Sequence, residues 1–466
     1  MKTTSDVKER RQSVAVIGSG LAGLTTAYLL SHDKENRYDV EVLESQNCLS
    51  LDSASVDVSA FNEGDGPSRV DVPMRAFADG YYPQLLKLYQ HLGVSYQKQQ
   101  FLFCFAKIIS KNVNPKPYLI HSSGFHQFPP PLPQGVNVLH WLCEAIYVGL
   151  CYAWFTFCCY YVSPAGERGP SIEGETIGRY LQRMLVPDYF TRYYLLPLFS
   201  SVSTCSHEAL LNFPASDITN YVRKIGNRNH YTVTAGVKEV EAKLSSGVKV
   251  RFQSRVSSVK CQGDRVLVCW ECYNNDGTIK QMEKLYDQVI IGTSPNVVAK
   301  IFEPLRNDME QVPTAAVESV VQTVPKTMRG VKPKLNRNDL YFNSTESLTE
   351  AIHVASKSVV VITQPILPIK SSDVNVISRT TLIRTLRNPR SRAILQRIFS
   401  GAADTRGDQK SWRNGDGHVW LVGGWCWDGM VLLEGCIISA IRVASALDVE
   451  VPWLRNGSGL GALDRR

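Results

Sequence analysis

The chain has 466 residues, 44% of them apolar and 20% charged, with a net charge of +8. That composition is globular, with room for a large core, and it excludes a disordered or fibrous chain. The basic excess is mild, and no basic run is interleaved with aromatics, so nucleic acid is not an expected partner.

The first residues, MKTTSDVKERRQ, are polar and charged, and no secretory signal is expected there. Val14–Ile17 then reads as a short buried parallel strand, and Gly18-Ser19-Gly20-Leu21-Ala22-Gly23 follows at once. Leu21 to Leu30 has helical apolar spacing, and VEVLE (Val40–Glu44) is a second strand whose acid lies 21 residues beyond Gly23. A glycine loop between strand and helix, with a distal acid, is the fingerprint of a dinucleotide site. Gly18 would allow the tight turn, Gly20 a close backbone approach to a pyrophosphate, and Gly23 the packing of helix on strand. The helix N-terminus would offer free N–H groups and a positive dipole end. Glu44 would accept from an adenosine ribose and repel a 2′-phosphate, which disfavours NADP. The motif does not choose between FAD and NAD. No second such loop is present, so one dinucleotide is expected.

Next, FPPPLPQG (Phe128–Gly135) blocks any helix and marks a boundary. From Ala145 to Val162 there are eighteen residues without a formal charge, the length at which a transmembrane helix becomes a candidate. His140, Glu144, Tyr147 and Cys151 form one stripe, so the first half is amphipathic. Trp154 to Tyr161 is apolar or aromatic nearly all round. SPAGERGPS (Ser163–Ser171) reads as a loop.

Gly247–Gln253, Arg255–Lys260 and Arg265–Cys272 read as three short strands, the last two joined at Gln262-Gly263-Asp264. Gln288–Ile291 is an apolar strand ending in Gly292-Thr293. Val419–Val422 is another, followed by Gly423-Gly424 and a helix opening near Leu433-Glu434-Gly435. Parallel-sheet strands near residues 14, 290 and 420 imply one sheet assembled from separated segments. The twelve cysteines show no disulfide framework, which suits a reducing compartment and leaves the sequons at Asn343 and Asn456 idle. Cys269 and Cys272 form a C-x-x-C on a strand, where they point to opposite faces and suit neither metal nor redox use.

These segments, with RVDVPMRAFADGYYPQLLKLYQHLGV (Arg69–Val94), YLLPLFSSVST (Tyr194–Thr204) and YTVTAGVKEVEAKL (Tyr231–Leu244), resemble the flavin-containing amine oxidase superfamily over roughly residues 13–448. That group includes monoamine oxidase, protoporphyrinogen oxidase and phytoene desaturase. Within it the chain looks most like FAD-binding proteins found beside cyclopropane fatty acid synthases. The resemblance implies an α/β fold, with a Rossmann-like FAD-binding domain built from separated segments and an α+β substrate domain. It assigns 13–70, 228–300 and 412–448 to the first, and 71–227 and 301–411 to the second. Residues 449–466 read as a flexible tail. It also implies that Gly18, Ser19, Gly20, Leu21, Ala22 and Gly23 hold the phosphates, Glu44 the ribose and the Val256 backbone the adenine. Thr293 and Gly236 would lie near the cofactor, with Gly423 and Gly424 at the pyrophosphate. The helix opening at Glu434-Gly435 would point at the flavin N1–C2=O, where its dipole stabilises the negative charge of reduced flavin.

There are departures. The family's Gly-Gly and Arg after the ribose acid are replaced by Gln46-Asn47-Cys48-Leu49-Ser50-Leu51-Asp52. Arg75 is either near the flavin or a surface or interdomain residue. The flavin-bonded cysteine segment of monoamine oxidase is absent, so non-covalent FAD is expected. Hydride transfer to flavin needs no protein nucleophile, and no metal site or catalytic base is assigned. His140, His207 and His230 read as surface or packing histidines before acids or bases, and Trp425 and Trp427 as packing or as borders of the flavin-side loop.

Three functions are compatible: an FAD oxidoreductase on a hydrophobic, lipid-like substrate, a flavin amine oxidase, and a non-catalytic FAD protein at a membrane. A cytoplasmic protein is expected. Residues 138–162 read as a helix lying in a membrane interface or re-entrant, or as a buried core helix. A span would put strands of one sheet on opposite sides of a bilayer.

Overall fold

Five strands far apart in the chain pair into one fully parallel sheet. Its order is Lys249–Arg251, Tyr38–Leu43, Gln12–Ile17, Gln288–Ile291, Val419–Leu421. The computed structural model describes residues 10–49, 51, 54–61, 67–108, 115, 117–166, 174–226, 228–273, 278–324, 338–370, 373–400 and 412–454. The three central strands are apolar because both faces of the sheet are covered. On one face lie the helices Leu21–Ser31 and Leu433–Ala446; on the other lies the antiparallel meander Ser254–Gln262, Arg265–Tyr273, Ile279–Tyr286. Lys249–Arg251, expected beside that meander, is instead the edge strand of the parallel sheet. It is held by ion pairs from Lys249 to Asp39 and Arg251 to Glu41, each 2.6 Å.

A mixed seven-stranded sheet builds the other half of the molecule. Its order is Val376–Thr385, Thr314–Thr323, Val359–Thr363, Thr349–Val354, Leu340–Ser344, Leu102–Lys107, Pro117–Ser122. Side chains alternate along each strand. Leu102, Cys104 and Ile120 pack on one face, while Phe103, Phe105 and Leu119 point to the other. His230–Val233 pairs with Phe77–Ala78 and Tyr96–Gln99 and ties the two halves together. Val449 and Val451 are buried in the main core, so residues 449–454 belong to the folded body rather than to a tail. The rest of that expected tail, and the sequon at Asn456, lie outside the described residues. Cys269 and Cys272 share one strand, none of the twelve cysteines is in a disulfide, and no group of metal-binding side chains occurs among the described residues.

Val138–Tyr161 is one continuous helix, opened by the Asn137 side chain, which accepts from Leu139 N at 2.8 Å. Only 22% of its most apolar stretch is buried, which rules out a core helix. Cys151, Phe155, Cys158 and Cys159 anchor it, Phe155 against Phe199. The Glu144 side of the polar stripe faces inward: Glu144 accepts from the hydroxyls of Tyr189 and Tyr194. Strands before and after this helix share one sheet, so it cannot cross a bilayer without dividing that sheet.

Packing by this face predicts unequal costs. Phe155→Ala, at a fully buried site, lowers unfolding free energy by about 3–5 kcal/mol. Leu150→Ala, on the open side, changes it by less than about 0.5 kcal/mol. Urea denaturation of the two variants checks this.

Candidate functional site

The parallel register decides where the site lies. Ile17 is level with Leu43 and Ile291, and Ile291 with Leu421. The residues that follow, Gly18, Glu44, Gly292-Thr293 and Val422-Gly423, therefore emerge together at the carboxyl ends of the strands, where open α/β sheets bind ligands. The backbones are close: Gly18 N donates to Leu43 O at 2.9 Å and Gly292 N to Ile17 O at 2.8 Å. A Cβ on Gly23 would sit 2.2 Å from Gly18 O, so only glycine lets the helix approach the turn. Gly18 has a positive φ of 93° that glycine adopts without strain.

The helix Leu21–Ser31 starts at Gly20 with no side-chain cap and no acid in its first turn. Its first N–H groups have no intrahelical acceptors and are available to an anion. Glu44 is buried beside them. Its carboxylate accepts from Ser19 N at 2.9 Å, Ser19 Oγ at 2.6 Å and Gln46 N at 2.9 Å. It thus fixes the loop as well as facing the cavity.

That cavity has a volume of about 1560 Å³, above the roughly 300–1,000 Å³ usual for one small ligand. Gly18, Ser19, Gly20, Ala22, Glu44, Thr293, Gly423 and Gly424 line one end. Leu21, Gly23, Val256, Glu434 and Gly435 are not among its lining residues. Val256 packs on the core beneath the meander. Gly236 starts a helix against Asp71, whose carboxylate accepts from Val237 N at 3.1 Å. Arg75, left open by the sequence, lines the cavity. The charged lining is Arg75, Lys98, Arg228, Arg384 and one carboxylate, Glu44, a balance that suits a diphosphate. The buried Thr293 hydroxyl has no hydrogen-bond partner among the described residues, so it can serve a ligand. These features fit a dinucleotide.

The other end is apolar and was not legible in the sequence. Phe103, Phe105 and Phe342 come from the seven-stranded sheet, Tyr194 and Phe199 from the segment 191–203, and Trp141, Val148 and Tyr152 from the helix Val138–Tyr161. His121 and His230 also face the cavity, where desolvation pulls both below the usual imidazole range. His207 is a packing residue, bonded to Thr349 Oγ1 at 2.8 Å, and His140 is exposed.

The loop after Gly424 is held from behind. The Arg387 side chain, fully buried, donates to the carbonyls of Gly429, Trp425 (2.9 Å) and Trp427 (2.7 Å) and faces Asp217 at 3.6 Å. Trp425 lines the cavity, and its Nε1 donates to Thr293 O at 3.1 Å. Trp427 packs instead over Gly435, where a Cβ would lie 2.4 Å from the indole. The helix Leu433–Ala446 brings Leu433 and Cys436 to the cavity, but Glu434 turns away and caps another helix. Its two oxygens accept from Gln84 N at 2.9 Å and Leu85 N at 3.0 Å.

A model described as NAD(P)-binding Rossmann-like domain matches residues 16–92, and one described as flavin containing amine oxidoreductase matches residues 178–336. The chain belongs to the flavin-containing amine oxidase superfamily. As a member it is a flavin-dependent oxidoreductase. Two solved structures share the family fold. Cyclohexylamine oxidase from Brevibacterium oxydans IH-35A is 12% identical with a TM-score of 0.60, over 94% of this chain and 100% of that one. A protein assigned as a protoporphyrinogen oxidase from Exiguobacterium sp. 255-15 is 12% identical with a TM-score of 0.57, over 95% and 100%. A sequence search of curated proteins finds no match.

Two outcomes follow. Arg387→Met leaves three carbonyls and Asp217 without their buried cation, so unfolding free energy falls by about 3 kcal/mol or more in urea titrations. Burial pushes the Glu434 carboxyl from 4.5 up to about 7, against the two N–H donors that pull it down. Between those values the folded carboxyl keeps a proton that the unfolded one has released, so stability falls as pH rises from 4.5 to 7 and then levels. The effect is on the order of 3 kcal/mol. Thermal melts across that window show a shallower slope for Glu434→Gln than for the unaltered protein.

Proposed function

We propose that the chain is an FAD-dependent oxidoreductase that holds FAD non-covalently and takes hydride from a hydrophobic, lipid-like substrate. The carrying observation is that one cavity joins the glycine-loop end to an aromatic chamber. FAD would lie with its diphosphate at Gly18–Gly23 and Gly423-Gly424, its ribose at Glu44 and its adenine near Val256. The N-terminus of Leu433–Ala446 would be turned to the flavin, through its backbone rather than through Glu434. Bound flavin supplies the hydride acceptor. The chain supplies orientation and a dry chamber, where Phe103, Phe105, Tyr152 and Phe199 exclude water from an apolar substrate. Cys426, two residues after the glycine turn, does not line the cavity, is buried, and has its thiol pushed well up by burial, which supports non-covalent attachment.

In this reading residues 13–70, 228–300 and 412–448 form the FAD-binding part, and residues 71–227 and 301–411 the substrate part. The protein is cytoplasmic, consistent with twelve cysteines outside any disulfide, and rests on a membrane through residues 138–162. Packing of Trp427 away from the cavity counts against an aromatic pair around an amine.

The purified protein is expected to be yellow and to release FAD on acid precipitation. Its flavin should bleach anaerobically with lipid extract. A colourless protein would defeat the reading, and bleaching by amines alone would favour an amine oxidase. Gly149 lines the chamber, and a Cβ there meets nothing within 4 Å. Gly149→Leu should therefore fold and bind FAD normally, while turnover of the lipid substrate drops about tenfold or more for ~1.4 kcal/mol of lost fit.

A further inference from the structure

The helix Val138–Tyr161 has two working faces. Trp141, Ala145, Val148, Tyr152 and Thr156 line the cavity. The opposite face carries Leu139, Leu142, Ile146, Leu150, Trp154, Phe157 and Tyr161, each between 46% and 75% exposed. Their spacing of three and four residues makes one continuous stripe along the helix. No Lys or Arg lies on this helix, and its one acid, Glu144, is engaged by Tyr189 and Tyr194. Leu185, 82% exposed, extends the stripe, because Trp154 Nε1 donates to the neighbouring Met184 O at 2.8 Å.

Charge identifies what covers this face. Around the aromatic end stand Arg179 and Arg183, on the helix that runs up to Met184, and Arg223, beside the Tyr160 hydroxyl, which donates to Arg223 O at 2.9 Å. Glu175 offsets only Arg183, through a 2.7 Å ion pair. A two-fold partner copy would bring these same cations together. An anionic lipid surface complements them, and Trp and Tyr favour the headgroup boundary.

We propose that this face, with Leu185, docks in the plane of an anionic bilayer. The aromatic end and its cations meet the headgroups, and Leu139 to Leu150 lie in the acyl boundary. The hydrogen bonds of Trp154 and Tyr160 to Met184 and Arg223 fasten the helix sideways to the body, which fits lying in the interface and not crossing it. Resting on the reading of an apolar substrate, the proposal makes the bilayer its source: the same helix that touches lipid is a wall of the chamber.

The test is sedimentation of the yellow full-length protein with sucrose-loaded vesicles. Phosphatidylcholine mixed with phosphatidylglycerol should bring it down, pure phosphatidylcholine much less, and added salt should weaken the binding. The triple variant Leu142→Ser, Leu150→Ser, Phe157→Ser should lose at least about tenfold in vesicle affinity, since three apolar side chains no longer leave water. It should keep its flavin absorbance and melting temperature, because none of the three lines the cavity. Protein that stays in the supernatant with both vesicles overturns the proposal, as does a triple variant that binds unchanged. A dimer by light scattering that the triple variant abolishes would give the face to a second copy. Protein that resists carbonate extraction from cell membranes would show a span. Colour is read separately from sedimentation, so loss of flavin would count against the proposed function and not against the docking.

Discussion

Three separate stretches of backbone must meet at one point, and the rest of the molecule is arranged to allow it. A Cβ at Gly23 would strike Gly18 O, one at Gly292 would lie 3.1 Å from Gly23 Cα, and one at Gly18 would lie 3.0 Å from Gly292 O. No side chain fits between these segments, so the first turn of Leu21–Ser31 is pressed against two strand ends far apart in the chain. That contact sets the glycine loop, opens free N–H groups toward the cavity and forces residues 18 and 292 side by side. The parallel register then brings Glu44 and Gly423 level with them without further contacts.

What was legible follows from this locality. The glycine loop, its flanking strand and helix and the distal acid lie within about thirty residues, and short-range sterics dictate them. The strands near 290 and 420 were readable because burial on both faces demands continuous apolar runs. Lys249–Arg251 was readable as a strand, but its place at the edge of that sheet was not, since ion pairs to Asp39 and Glu41 hold it in place of buried apolar contacts. The seven-stranded sheet and its chamber were invisible for a related reason. Their strands come from residues 102–122 and 314–385, and nothing local says that Phe103 and Phe342 stack 5.8 Å apart.

Glu434 shows how a correctly placed residue can do a different job. Its position at the start of the last helix was readable, and such a position suggests attention to a ligand. The structure turns the carboxyl group to the N-terminus of Pro83–Leu92, where two N–H groups 350 and 349 positions away in sequence donate to it. The helix keeps its N–H end toward the cavity while its acid joins two helices behind it. Arg387 plays a parallel part for the loop 425–429, and neither contact has a sequence signal, since both join residues that only the finished fold brings together.

The same logic explains the apolar helix. A polar stripe on an apolar helix is ordinarily read as the face toward water. Here Glu144 is satisfied by the hydroxyls of the buried Tyr194 and the half-exposed Tyr189, so its side of the stripe can turn toward the body and leave leucines and aromatics outside. An inward carboxylate of this kind is costly unless it is hydrogen-bonded. The tyrosines at 189 and 194 meet that condition, and Tyr194 sits where the chamber wall and the helix join. The chamber and the exposed face therefore share one cause: the helix is fixed by its polar groups, which frees its apolar surface for lipid on one side and for the cavity on the other.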